Sequence, residues 1–151
     1  RIEKMKTQKL DGIILASAAI ERLNIKNLFI DKISIKNFTP SAGQGILGIE
    51  TMKDNRKLIK EISGLSNKNT QICAKAERSF IYKLNGDCFS PIGVHAQIQG
   101  SSIIINGFVS DKSGENFIKS KYEADLDDPE TAGLDFAKIF IKQGAKKLIK
   151  S

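Results

Sequence analysis

The sequence is short of the residues that hold small folds together by covalent or metal cross-links. Cys73 and Cys88 are its two cysteines in 151 residues, too few for a disulfide framework, so a reducing, cytoplasmic setting is expected. There is no Cys-x-x-Cys and a single histidine, His95. A structural zinc site needs four ligands of those types, so no metal site is expected. No apolar run approaches the ~20 residues of a membrane helix; the longest, Gly12 to Ile20, has the length of a core strand and turn. No apolar stretch of signal-peptide type follows the start, and no membrane association is expected. The chain begins at Arg1 rather than Met, as a piece cut from a longer protein does. Arginine is scarce, at positions 1, 22, 56 and 78 only.

What remains is enough to fold. Hydrophobic residues make up 40% of the chain, and its length suits one medium domain or two small ones with a sizeable core. The net charge of +7 comes almost wholly from lysine. One reading is solvated faces. Another is a nucleic-acid-binding module, weakened because the lysines are spread out with no aromatics between them. A third is a polyanionic small molecule, for which a few arginine forks matter more than total charge.

Residues 1–10 read as a short helix, 11–16 as an apolar strand covered on both faces, and 17–23 as a helix following at once. Strand and helix in such quick succession indicate an α/β layer, whose ligands gather at the carboxyl ends of the strands. Arg22 is then either an exposed helix charge or an anion clamp. A short strand is expected at 33–35 and another at 46–49, after the turn Pro40-Ser41-Ala42-Gly43-Gln44-Gly45. That turn is either a plain crossover or a place where Gln44 and backbone N–H groups meet a ligand. Asp54 is expected to cap a helix over 55–62, and a boundary falls near Gly64 to Asn69.

A second helix is predicted over 70–84, with Ile72, Ala76, Phe80 and Leu84 forming a stripe. Cys73 lies on it and reads as a small core hydrophobe. Glu77 and Arg78 fall beside it, either at the surface or reaching a neighbouring domain. Three alternating segments follow, with turns short enough for an antiparallel meander, and His95 is expected to be exposed or satisfied on the first strand. Asp128-Pro129-Glu130 starts a last long helix. Residues 66–151 therefore read as a two-layer α+β domain. Between its first helix and first strand lies Leu84-Asn85-Gly86-Asp87-Cys88-Phe89-Ser90-Pro91, which puts one thiol on a turn, as a covalent attachment point or an ordinary loop residue.

Four stretches in order carry a resemblance: Asp11-Gly12-Ile13-Ile14-Leu15-Ala16, Pro40 to Glu50, Ala76-Glu77-Arg78-Ser79-Phe80, and Leu84 to Gly93. Together they resemble the porphobilinogen deaminase (hydroxymethylbilane synthase) family, over about the C-terminal half of its length. The resemblance implies a transferase of tetrapyrrole (haem) biosynthesis that joins porphobilinogen units head to tail with loss of ammonia. It implies a dipyrromethane cofactor held by a thioether to Cys88, with Arg1, Arg22 and Gln44 toward the cofactor and Arg1 and Arg22 toward substrate carboxylates. Expected partners are porphobilinogen, the growing polypyrrole and the missing N-terminal half, with no nucleic acid and a monomer at full length.

The fold implied is the end of a periplasmic-binding-protein-like α/β pair followed by an α+β domain with a three-stranded antiparallel sheet. Its parts are 1–40 in the substrate-cleft domain, 41–65 as the strand and helix returning to the N-terminal domain, and 66–151 as the cofactor-attachment domain. No catalytic residue is expected in this chain, because the family's catalytic aspartate belongs to the missing half. The family usually has Gly before the cysteine; Asp87 stands there, and its charge is expected to raise the thiol pKa.

Overall fold

The computed structural model describes residues 1–87 and 89–150, in two compact units, Arg1–Lys32 and Ile33–Ser151. The first holds two short helices, α1 (Ile2–Thr7) and α2 (Ser17–Arg22). Each is stopped by a residue in the left-handed region, Lys9 at φ 53 and Asn24 at φ 47. The following amide then returns to the helix, Leu10 N–H to Met5 O and Ile25 N–H to Ile20 O, a closure that satisfies end carbonyls.

The strand expected at 11–16 forms no ladder among the described residues, and the strands expected at 33–35 and 46–49 form none either. A parallel strand buried on both faces exists only between neighbours that bond its backbone and cover its side chains. Here Ile14, Leu47 and Ile49 are exposed.

In the second unit α3 (Arg56–Ser63) is capped by Asn55, whose side chain accepts from Leu58 N–H at 3.2 Å, one residue past the expected Asp54. α4 (Lys68–Leu84) starts two residues before its predicted beginning, because Asn67 Oδ1 accepts the Thr70 N–H at 2.9 Å. β1 (Ile92–Gln99), β2 (Ser102–Ser110) and β3 (Phe117–Asp125) form the expected meander, order β1-β2-β3, all antiparallel. Gly100, at φ +61, opens the two-residue β1–β2 turn as a II′ turn requires. α5 (Pro129–Lys142) begins on Asp128 as predicted, its carboxylate accepting from Thr131 N–H at 2.9 Å, and α6 (Ala145–Lys150) follows.

One face of the sheet packs on α4 and α5. Ile92, Val94, Ala96, Ile103, Ile105 and Val109 meet the predicted stripe of α4, with Phe136, Ala137 and Phe140 of α5. Phe80, Phe136 and Phe140 stand with ring centres 5.0–5.1 Å apart, and Tyr122 stacks on Phe136 at 5.7 Å. Close packing leaves no room for side chains at two glycines. A Cβ on Gly133 would lie 2.1 Å from the Ala76 carbonyl, and one on Gly107 would lie 2.7 Å from the Phe136 ring. The α+β architecture is therefore as expected. Among the described residues, no helix is long and apolar enough to cross a membrane.

Candidate functional site

Two places in the larger unit hold residues that the sequence pointed to: the turn after α4, with Asp87, and the outer edge of β1, with Glu77 and His95. α4 ends on Asn85 in the left-handed region, with Gly86 N–H donating to Ile81 O at 3.1 Å. Gly86 is pressed against Ile92, whose Cδ1 would lie 2.6 Å from an added Cβ. Asp87 then shapes the turn. Its Oδ1 accepts from the Ser90 hydroxyl at 2.7 Å, the Ser90 N–H at 2.8 Å and the Phe89 N–H at 2.9 Å, while its own N–H donates to Ser90 Oγ at 3.0 Å. These bonds, the Ser90 hydroxyl first, hold the Asp87 carboxyl below the usual carboxylate range. Asp87 is thus the acceptor to which Phe89 and Ser90 are bonded. Cys88, the expected attachment point, lies outside the described residues. Its neighbours Asp87 and Phe89 are both exposed.

The second place is built from backbone. β1 pairs with β2 on one side, and its other edge presents the N–H groups of Val94 and Ala96. Val94 N–H donates to Pro40 O at 2.8 Å. Ala96 N–H donates to Glu77 Oε1 at 2.8 Å, and Glu77 Oε2 accepts the Gly43 N–H at 2.7 Å. A carboxylate on α4 therefore ties the crossover segment to the sheet and covers an edge that would otherwise be open to pairing. Glu77 is 3% exposed. Burial pushes its carboxyl up, against the opposing pull of the two amides and of His95, whose Nδ1 lies 3.7 Å from Oε1. Cys73, one helical turn back, is partly buried on the core as expected. Burial first, and the Glu77 charge second, push its thiol up, which keeps it protonated and inert.

The structure places the other expected residues as follows. Arg1 precedes α1 as its N-cap residue and Arg22 ends α2, both exposed and both in the smaller unit. Gln44 is exposed in the turn between Gly43 at φ +71 and Gly45 at φ +84, next to the amide that Glu77 holds. Glu77 is the residue that sequence reasoning left undecided; a lone carboxylate beside Ala76 on an apolar stripe was the available signal. Gly93 is another. A glycine inside an alternating strand marks close backbone approach, and an added Cβ there would lie 2.5 Å from Thr39 O. Gly93→Ala is expected to lower stability by about 1–3 kcal/mol, the usual cost of overpacking, and to strip hydrogen-exchange protection from the Val94 amide. An unchanged urea midpoint would contradict the contact between 39–40 and β1.

Comparison with known proteins gives two family matches along the chain. Residues 1–60 match the family model described as porphobilinogen deaminase, dipyromethane cofactor binding domain. Residues 71–142 match the one described as porphobilinogen deaminase, C-terminal domain. Relatives named porphobilinogen deaminase include one from Alkaliphilus metalliredigens, 33% identical over 100% of this chain and 48% of the relative. One from Prochlorococcus marinus is 39% identical over 99% of this chain and 47% of the relative. One from Clostridium acetobutylicum is 47% identical over 72% of this chain and 37% of the relative. Both models describe consecutive parts of a single kind of cofactor-carrying protein. The chain belongs to the porphobilinogen deaminase family, and it spans about half the length of the curated relatives it matches.

Proposed function

We propose that this chain is the C-terminal portion of a hydroxymethylbilane synthase, a cytoplasmic transferase, monomeric at full length, that condenses porphobilinogen units head to tail with release of ammonia. The observation that carries the reading is the pair of family models matched in order along the chain, over 1–60 and 71–142. In this reading 1–40 complete a substrate-cleft domain, 41–65 return to the N-terminal domain, and 66–151 carry the cofactor. The exposed apolar side chains of Leu47, Ile49 and Met52 support it, since they suit a strand whose sheet neighbours lie in the other half.

Cys88 is the tether, a thioether that survives an aqueous, reducing setting. When bound, the dipyrromethane supplies the pyrrole terminus to which substrate units are added. Arg1 and Arg22 hold carboxylates, as forked guanidinium groups do better than lysine, and Gln44 donates from its exposed turn. The positive balance draws anionic substrate toward the protein. The proton-handling group belongs to the N-terminal half, so the chain alone turns nothing over. Joining it to the N-terminal half of the Clostridium acetobutylicum relative is expected to give a protein that releases ammonia from porphobilinogen, while the 151-residue chain releases none. A folded joined protein with no ammonia release would sink the proposal.

A further inference from the structure

Glu77 has no spare oxygen: Oε1 takes the Ala96 N–H and Oε2 the Gly43 N–H. A buried carboxylate is costly unless its charge is met, and two amide donors, with His95 Nδ1 3.7 Å away, offset part of that cost here. The ionised form accepts strongly at both oxygens, whereas protonation leaves one of them a weak acceptor that carries a hydrogen. A protonated carboxyl, or a glutamine, turns one position into a donor facing an N–H. Ala96 N–H is fixed by the β1–β2 ladder, whereas Gly43 N–H belongs to a turn with Gln44 and Gly45 exposed, so the turn is the part that gives way. The groups facing Glu77 are few. His95 lies on β1 and Cys73 on α4, and residues 39–45 contain no titratable side chain. α5 meets α4 through Gly133 and the Phe136 ring, and its Glu130 is paired with Lys75 at the surface.

We propose that Glu77 is a positioning residue: its ionised carboxylate latches the Gly43-Gln44-Gly45 turn to the edge of β1, and uptake of one proton releases that turn with Gln44. That Gln44 meets a polypyrrole rests on the function proposed above; the latch itself does not.

The sign of the pH dependence is fixed by burial. Glu77 is raised, so its proton arrives at a higher pH than for an exposed glutamate, ~4.3. A carboxyl raised in the fold favours the folded state as pH falls between its folded and unfolded values. The turn therefore opens in a window where the fold persists. Asp87, Asp111 and Asp128 are held low by their hydrogen bonds; they stabilise above the unfolded value of ~3.9, and that contribution is lost only as pH falls through their lower folded values.

Amide NMR with hydrogen exchange on the 151-residue chain tests the latch. The Gly43 and Ala96 amide shifts are expected to titrate together, with a midpoint above ~4.3. Across it the Gly43 amide loses at least about tenfold in protection relative to an unstructured chain, in keeping with a hydrogen bond to a charged acceptor, while β2 amides keep theirs. Glu77→Gln removes the titration and leaves Gly43 unprotected at every pH; if that variant does not fold, the titration of the unmodified chain decides alone. Equal Gly43 protection on both sides of the midpoint overturns the proposal.

In the joined protein, the loss of kcat/KM caused by Glu77→Gln should shrink several-fold when Gln44→Ala is already present. Equal losses in the two backgrounds overturn the positioning role. An inert Gln44→Ala refutes the role given to Gln44 in the proposed function, and the amide result then decides the latch by itself.

Discussion

Cys88→Ser in the joined protein is expected to give an intact mass equal to that of its sequence and no detectable porphobilinogen consumption. The unmodified protein is expected to carry a dipyrromethane adduct and to turn over. The reason is nucleophilicity. A cysteine thiol is intrinsically a strong nucleophile toward carbon, whereas a serine hydroxyl without an adjacent base is not. Loss of the primer differs from loss of the fold. Among the described residues, hydrogen bonds of the turn run among Asp87, Phe89 and Ser90. For a thiol whose role is attachment, the unfolding free energy read from a urea titration should change by no more than ~0.5 kcal/mol. Mass spectrometry settles the matter: an active preparation with an unmodified Cys88 would remove the tether from this protein.

Phe136→Ala should cost about 3–5 kcal/mol of unfolding free energy, the range for deleting a buried phenylalanine ring. Phe136 is fully buried and its ring meets those of Phe80, Phe140 and Tyr122. Two of its neighbours come from α4 and the sheet, so the hole opens where all three elements meet. They cannot close on it, because α4 and α5 already pack too closely at Gly133 to admit a Cβ there. Against a typical domain stability of about 5–15 kcal/mol, such a loss is a large fraction of the whole. A urea titration of the chain with fluorescence and circular dichroism measures it, and a loss below about 1 kcal/mol would mean that the aromatic cluster does not organise this domain. Tyr122 has a hydroxyl to keep wet while its ring stacks, so the Phe80 and Phe140 contacts carry most of the expected loss.

The α+β domain was legible because each of its elements is locally consistent. The Ile72-Ala76-Phe80-Leu84 stripe, the alternation in β1 and β3, and the Asp128-Pro129-Glu130 start all point to the observed structure. The burial of each follows from elements within the same hundred residues. The strands expected at 11–16 and 46–49 were legible only as patterns. Their apolar side chains require partners on both sides, and the described residues of this chain supply none. Helix starts differed by one or two residues, because Asn55 and Asn67 compete with their neighbours for a single capping amide and only the loop path chooses between them.

By itself the sequence determined which helices and strands form the second domain, the family to which the chain belongs, and the place of the single loop thiol. It could do so because periodicity, capping and motif order are local properties of the chain. The tertiary structure alone decided what Glu77 and Gly93 are for. Glu77 became a buried acceptor only when β1 offered an unpaired edge and the Pro40–Gly45 segment came to lie along it. Asp87 turned from an unwelcome charge into the centre of a hydrogen-bonded turn. The Glu77 outcome depends on which backbone N–H groups arrive within about 3 Å of its carboxylate, a distance set by packing between residues far apart in the chain, whereas Asp87 meets partners only two and three residues on, whose positions the local path of the turn sets.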